Sequence, residues 1–290
     1  MGKGLGVVLF GVAVSIAGAV IAGVNARGAY NAFKEIENSA NVETGHIDLT
    51  DNKKISVELD SGTLNIHHST TTSYVDYSVL KYYTVEYDKD KNEVVMTVKN
   101  KYRIISWLPF ISTFNPNTSK VDVYLTDQDY DAYFEVNAGS FNINDDFNFS
   151  SLTVDVSAGK FNCNGNLNVS GDTSLKLSAG ELNLNGNLTG TKKAQLKVSA
   201  GDLNVKYVEA ETVNVNISAG DINAKVKSDN ITFGISAGDL DMDIVGKKED
   251  YTINIKKSAG SCNIKSSDGG EKKLDGKISA GKATIDFVGE

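Results

Sequence analysis

The sequence predicts an all-β protein: a β-solenoid, parallel β-helix-like, following one N-terminal transmembrane helix. Three observations predict this. Residues 4–26 form an uncharged, apolar run, a Ser-Ala-Gly motif returns at a near-constant interval through the second half, and apolar residues alternate with polar ones on both sides of each motif.

The 23 residues from 4 to 26 carry no charge. As a helix they would span about 35 Å, enough for a hydrocarbon core of about 30 Å. An uncleaved anchor is therefore expected over residues 1–27, with a juxtamembrane stalk over 28–44. A cleaved signal peptide is the alternative, since Val24-Asn25-Ala26 is an acceptable cleavage site. Charges flanking the run are near parity, so charge alone leaves the orientation open. The exported character of the repeats favours a single-pass cell-membrane protein with the bulk of the chain extracytoplasmic.

Residues 45–136 hold most of the tyrosines and the single Trp. Strand-like runs are frequent there, and Asp88 to Asn92 suits a hairpin turn. This is a β-rich N-terminal part of the ectodomain or an irregular set of early coils. One segment, 104–114, is uncharged and carries Trp107, Leu108, Phe110, Ile111 and Phe114. Trp and Phe favour a membrane interface or a partner surface. The alternative is a loop folded over the end of the core, since large apolar residues are usually buried.

The repeat, residues 137–290, dominates. It reads VSAGKFNCN from Val156, LSAGELNLN from Leu177, VSAGDLNVK from Val198 and ISAGDINAK from Ile217. The glycines are Gly139, Gly159, Gly180, Gly201, Gly220, Gly238, Gly260 and Gly281, spaced 18 to 22 residues apart. A degenerate copy sits at Gly62. Buried parity switches across each motif: Leu175 and Leu177 before it, Leu182 and Leu184 after it. Two short strands therefore meet at a bend, where Gly supplies positive φ or close backbone approach. The recurrent Ala suggests a packed corner. Such a unit buries its apolar face only by stacking on its neighbours, at about 4.8 Å per coil. An antiparallel meander is the competing arrangement. In sequence-order stacking, Lys257 interrupts an apolar column and loosens its rung, the last rung is open to pairing, and Cys163 and Cys262 are buried, unpaired and about 24 Å apart.

The single membrane segment, the strands of HIDLTDNKKISVELDSGTLNIHHS and the Ser-Ala-Gly ladder resemble the bacterial putative-adhesin family of unknown function. That resemblance covers about residues 45–290. It implies a β-solenoid, and some relatives are similar in layout to membrane-anchored proteins of cell-envelope stress operons. It brings no catalytic motif.

Composition narrows the function further. Lys and Arg number 29 against 37 acidic residues, a net charge of −8, which argues against a nucleic-acid partner. Two cysteines exclude a four-thiolate zinc site. The position after each Gly forms a column containing Glu181, Asp202, Asp221 and Asp239, beside Asn183, Asn204, Asn223 and Asp241. Stacked carboxylates repel, so the column must splay, take up cations or hold its protons. Carboxylate beside amide suits Ca²⁺ or sugar hydroxyls, whereas a solvated turn column needs no ligand. His46, His67 and His68 are the only histidines; ordinary surface histidines are the simpler reading over a metal site. The acids sit at equivalent repeat positions rather than in one singular cluster, which argues against an enzyme. The expected role is non-enzymatic: an adhesin or cell-envelope binding protein whose partners are a cell-wall polymer, a glycan or a membrane protein. The alternative is a regulatory or scaffold protein of an envelope stress response that acts through a membrane partner.

Overall fold

The computed structural model describes residues 42–49, 52–80, 83–90, 93–100 and 119–289. The membrane segment expected at residues 4–26 and the apolar segment 104–114 lie outside the described residues. Among those described, no helix is long and apolar enough to cross a membrane.

Strands follow one another almost without interruption. They are β1 (Val42–Asp48), β2 (Lys54–Leu59), β3 (Gly62–His68), β4 (Tyr74–Leu80), β5 (Tyr83–Asp90), β6 (Glu93–Asn100) and β7 (Lys120–Leu125). Next come β8 (Tyr130–Ile143), β9 (Phe147–Cys163), β10 (Leu167–Val169), β11 (Thr173–Val198), β12 (Asp202–Ile217) and β13 (Asp221–Lys227). The chain ends with β14 (Asn230–Ile235), β15 (Asp239–Val245), β16 (Tyr251–Lys257), β17 (Ser261–Cys262), β18 (Lys272–Ile278) and β19 (Lys282–Val288). The one helical element among the described residues is a three-residue 3₁₀ turn, Lys248–Asp250.

The repeat units pair in parallel, which excludes the meander. Gly139 lies opposite Gly159, and Gly159 opposite Gly180. The corner strands continue in register through Glu181, Asp202, Asp221 and Asp239. Alternation then does what the sequence requires: every second side chain enters a dry interior. Leu182, Leu203, Ile222 and Leu240 stack there with exposures of 1% or less. Burying each such side chain contributes about 1.5–3 kcal/mol.

The corner is a point of close backbone approach. Gly139, Gly159, Gly180, Gly201, Gly220, Gly238 and Gly281 all have positive φ, between 105° and 150°. A Cβ on any of them would overlap the carbonyl oxygen of the glycine in the rung below. Two independent demands therefore fall on one residue. The neighbouring alanines are not packed as expected: Ala179, Ala200, Ala219 and Ala237 are exposed. The contact at this position is made by the backbone, with Ala200 N–H donating to Ser178 O and Ala219 N–H to Ser199 O.

Stacking does not follow sequence order at either end. β19 pairs with β15 on one side and with β17 on the other, and β18 lies between β14 and β16. The final strands of the chain thus occupy the penultimate rung, and residues 251–262 form the last one. At the opposite end β2 lies between β6 and β8, and β3 between β7 and β8. The early strands are therefore rungs of the same stack. Antiparallel strands finish that end, with β4 on β7, β1 on β4 and β5 on β6.

This arrangement corrects three expectations. The last rung is not left open at the C-terminus. Ser267 exchanges two backbone hydrogen bonds with Ile253, and Ser266 Oγ accepts from Ile255 N–H at 2.9 Å. The Asn263 side chain binds both polar groups of Ile285, mimicking a strand. Cys262 lies in this terminal rung and is only half-buried, whereas Cys163 is buried; both thiols are free. Burial pushes the Cys163 thiol up to about 12, so it behaves as an apolar filler. Lys257 is also in the terminal rung, where the position has no rung above it, and β17 is only two residues long there. A swap elsewhere compensates for the insertion: Gly276 occupies an inward position, and the Phe233 ring fills the space its side chain would take.

Gly201→Ala is expected to destabilise the protein by about 2–5 kcal/mol through strain and overlap. Gly289→Ala, with nothing within 4 Å of the added carbon, should be neutral within about 0.5 kcal/mol. Paired denaturant melts check both.

Candidate functional site

Two polar columns run along the outer face of the strands that follow the corner. The acidic column is continuous: Glu181, Asp202, Asp221 and Asp239 occupy successive rungs. Because of the end insertion it is bounded by lysines, Lys160 below and Lys282 above. Lys160 Nζ lies 3.0 Å from Glu181. Hydrogen bonds from Asn183 and from Lys160 hold the Glu181 carboxyl below its usual range. Asp221 accepts the backbone N–H of Asp239, and Asp239 accepts that of Lys282, each at 3.0 Å. These carboxylates serve the corner backbone of the next rung. Among the described residues no group of three or more His, Cys, Asp or Glu converges to hold an ion.

The amide column is a directed chain of hydrogen bonds. Asn204 donates to Asn183 at 2.9 Å, Asn183 to Asn162 at 3.3 Å, and Asn162 to Asn142 at 3.2 Å. Asn142 donates to Asn65, and Asn65 to Asp122, both at 2.9 Å. Asn223 and Asp241 continue the column in register beyond Asn204. Every amide in the bonded series points its donor toward the N-terminal end. Such a chain needs an acceptor at its foot, and Asp122 supplies a charged one.

Asp122 is a node that the sequence did not reveal. It receives Lys120 Nζ at 2.8 Å and faces His67 Nε2 at 3.0 Å. Burial alone would raise its pKa, but hydrogen bonds from Lys120, Asn65 and His67 outweigh that and hold it below the ordinary carboxylate range. Around it lies a column of four rings. His67 stacks on Tyr124 at 4.9 Å, Tyr124 on Tyr74 at 4.4 Å, and Tyr74 meets His46 at 5.1 Å. All three histidines are in this end of the rod, each on its own aspartate: His46 on Asp76, His67 on Asp122 and His68 on Asp127. The partners come from strands distant in sequence, so no local motif signals them.

Trp107, Leu108, Phe110, Ile111 and Phe114 lie outside the described residues. The described strands do fix where their segment is attached. β6 ends at Asn100 and β7 begins at Lys120. Both points lie at the corner, since Val98 pairs with Leu59 and Ser119 abuts Gly62. β1 starts nearby, with Val42 opposite Leu80 and Ser78 opposite Lys120.

A parallel β-stack with self-satisfied polar columns defines the class: an all-β, solenoid-like repeat protein. The family described as Toastrack DUF4097 matches residues 52–288, and the chain belongs to it. The fold resembles that of a putative adhesin from Bacteroides fragilis, at 12% identity and a TM-score of 0.53, over 86% of this chain and 98% of that one. Also similar is a protein described as a putative lipid binding protein from Parabacteroides distasonis, at 16% identity and a TM-score of 0.42, over 86% and 97% of the two chains. A putative adhesin from the same organism has 15% identity and a TM-score of 0.43, with the same coverage. No curated protein matches the chain. Neither the family's description nor that of the Bacteroides fragilis structure names an enzyme.

Asp122 is depressed in the folded state, so its contribution is fully present above the unfolded value of about 3.9 and is lost as pH falls through the folded value. Asp122→Ala should cost about 1–3 kcal/mol at neutral pH. Its melting temperature should also fall less steeply than the parent's below about pH 4, as a pH series of melts would reveal. Asp221→Asn keeps an oxygen for Asp239 N–H while removing one of the stacked charges. It should melt at or slightly above the parent temperature, by a margin that shrinks in salt.

Proposed function

We propose that the protein is a non-enzymatic, membrane-anchored binding protein of the cell envelope, with its solenoid outside the cytoplasm. The observation that carries this reading is the attachment geometry. Residues 1–41, with their apolar run, and residues 101–118, with Trp107 and Phe110, join the described fold at one corner of one end. That end is the base, and the far rungs project from the membrane. The polar columns support the same reading, because the amides are bonded to one another and Asp221 and Asp239 to corner backbone, rather than gathered around a reaction centre. The description of the Bacteroides fragilis structure as a putative adhesin agrees with it.

Protease added to intact cells should remove the full-length band and leave a short membrane fragment; complete protection until lysis would reverse the topology. Purified full-length protein should be retained by isolated cell envelope, and failure of that pull-down would defeat the binding role. The alternative, a regulatory scaffold acting through a membrane partner, is favoured by the same corner, where the chain leading to the apolar segment and the chain leading from the N-terminal run both join the described fold. It predicts that Trp107→Ala with Phe110→Ala alters an envelope stress response at unchanged protein level.

A further inference from the structure

The outer face before the corner is polarised along the rod. From the base its eleven rungs are β5, β6, β2, β8, β9, two passes of β11, then β12, β14, β18 and β16. One outward column runs through all of them in register. Over the lower five rungs it holds Glu86, Thr97, Glu58, Glu135 and Asp155. Over the upper six it holds Lys176, Lys197, Asn216, Gly234, Lys277 and Lys256. Ser199 N–H donates to Leu177 O between the two passes of β11, which sets Lys197 over Lys176. Every ionisable group of the column below the change of sign is an acid, and every one above it is a lysine. At the boundary Lys176 Nζ lies 3.9 Å from Asp155. Flanking outward positions repeat the sense, with Asp88 and Asp131 low and Lys193 and Lys273 high; Lys54, Lys99 and Asp275 run against it. Tyr133, among the acids, has its phenol pKa raised by burial, then by its hydrogen bond to Glu135 and the charges of Glu135, Asp155 and Glu58.

Such a face complements itself in one orientation only. Two copies laid face to face with their bases together set acid on acid and lysine on lysine. Turned end for end about the sixth rung, the same two faces set Asp155 opposite Lys197 and Glu86 opposite Lys256, and each such pair occurs twice, as a two-fold axis requires. A polyanion or a polycation would match one half of the face and be repelled by the other, whereas a second copy matches both. Ten spacings of about 4.8 Å and strands of about 20 Å make a face of about 950 Å². A standard stable interface takes about 800 Å² from each partner. The chain's net charge of −8 opposes approach at long range. At about 0.1 M salt the Debye length is about 10 Å, so the facing columns outweigh that repulsion once the rods touch.

We infer that this face pairs with the same face of a second copy, end for end, so that rods anchored by their bases in two apposed membranes join side by side. The inference rests on the membrane-anchored binding reading and names the partner. Full-length protein is inserted, rods outward, in phosphatidylcholine vesicles, which carry no net charge, and clustering is followed by light scattering. Parent vesicles should cluster at about 0.1 M salt and disperse near 1 M, where the Debye length is about 3 Å. Glu58→Lys, Glu135→Lys and Asp155→Lys combined make the column cationic throughout. Lys197→Glu, Lys256→Glu and Lys277→Glu combined make it predominantly anionic. Each set alone should slow clustering at least about tenfold, and mixing the two vesicle populations should restore it, a rescue that misfolded protein cannot give. Absence of clustering by the parent would overturn the inference. So would clustering of either variant alone at the parent's rate, or failure of the mixture while both variants melt as the parent does. Equal clustering of parent vesicles with protein-free ones would assign the face to lipid and overturn it too. Retention by isolated envelope without vesicle clustering would overturn this inference alone and leave the broader reading standing.

Discussion

The fold depends on a contact between backbones, where the Cα of each positive-φ corner glycine rests against the carbonyl oxygen of the glycine beneath it. No side chain fits between them, and the positive φ at these positions turns one strand into the next. Rung spacing, the direction of the bend and the register of both flanking strands follow from that contact. Once register is set, identical side chains fall on top of one another, and the solenoid becomes a set of columns. Leucines and phenylalanines stacked inward give a continuous dry core, since the alternation places every second residue there.

The same stacking governs the polar surface. An amide above an amide is a good arrangement, because each Asn offers a donor upward or downward and an acceptor the other way. The series from Asn204 to Asp122 uses this with all donors aligned, and so accumulates a dipole that the Asp122 carboxylate, Lys120 and His67 terminate. A carboxylate above a carboxylate is a poor arrangement, and the column from Glu181 to Asp239 is tolerated in two ways. Asp221 and Asp239 accept backbone N–H groups of the next rung, and lysines stand at both ends, one of them paired with Glu181. Polar repeats in a solenoid are thus selected by what their neighbours of the same kind can do for them.

Much of this was legible in the sequence because repetition amplifies weak local signals. One Ser-Ala-Gly tripeptide predicts little, but its recurrence with switching parity favoured stacked coils over a meander and marked the inward residues and the acidic and amide columns. What was not legible depends on contacts between distant segments. Nothing in the spacing of Gly260 and Gly281 shows that the later unit sits beneath the earlier one; Gly276 opposite Phe233 and the interrupted column at Lys257 make sense only afterward. The recurrence of Ala implies a packed corner, yet Ala179, Ala200, Ala219 and Ala237 face solvent, because the corner is held by backbone bonds rather than by side-chain packing. The histidine and tyrosine column was invisible because β1, β4, β7 and β3 are adjacent in space and scattered in sequence.

The displaced end rungs bear on how such a rod can grow over evolutionary time. A simple stack lengthens by adding a unit at either tip. Here each tip is a clasp, in which strands from inside the chain close over strands nearer its terminus. A unit appended after β19 would meet β17 instead of a free edge, and one placed before β2 would meet β6. Length can change only by duplicating or deleting units between the clasps, from β8 to β15.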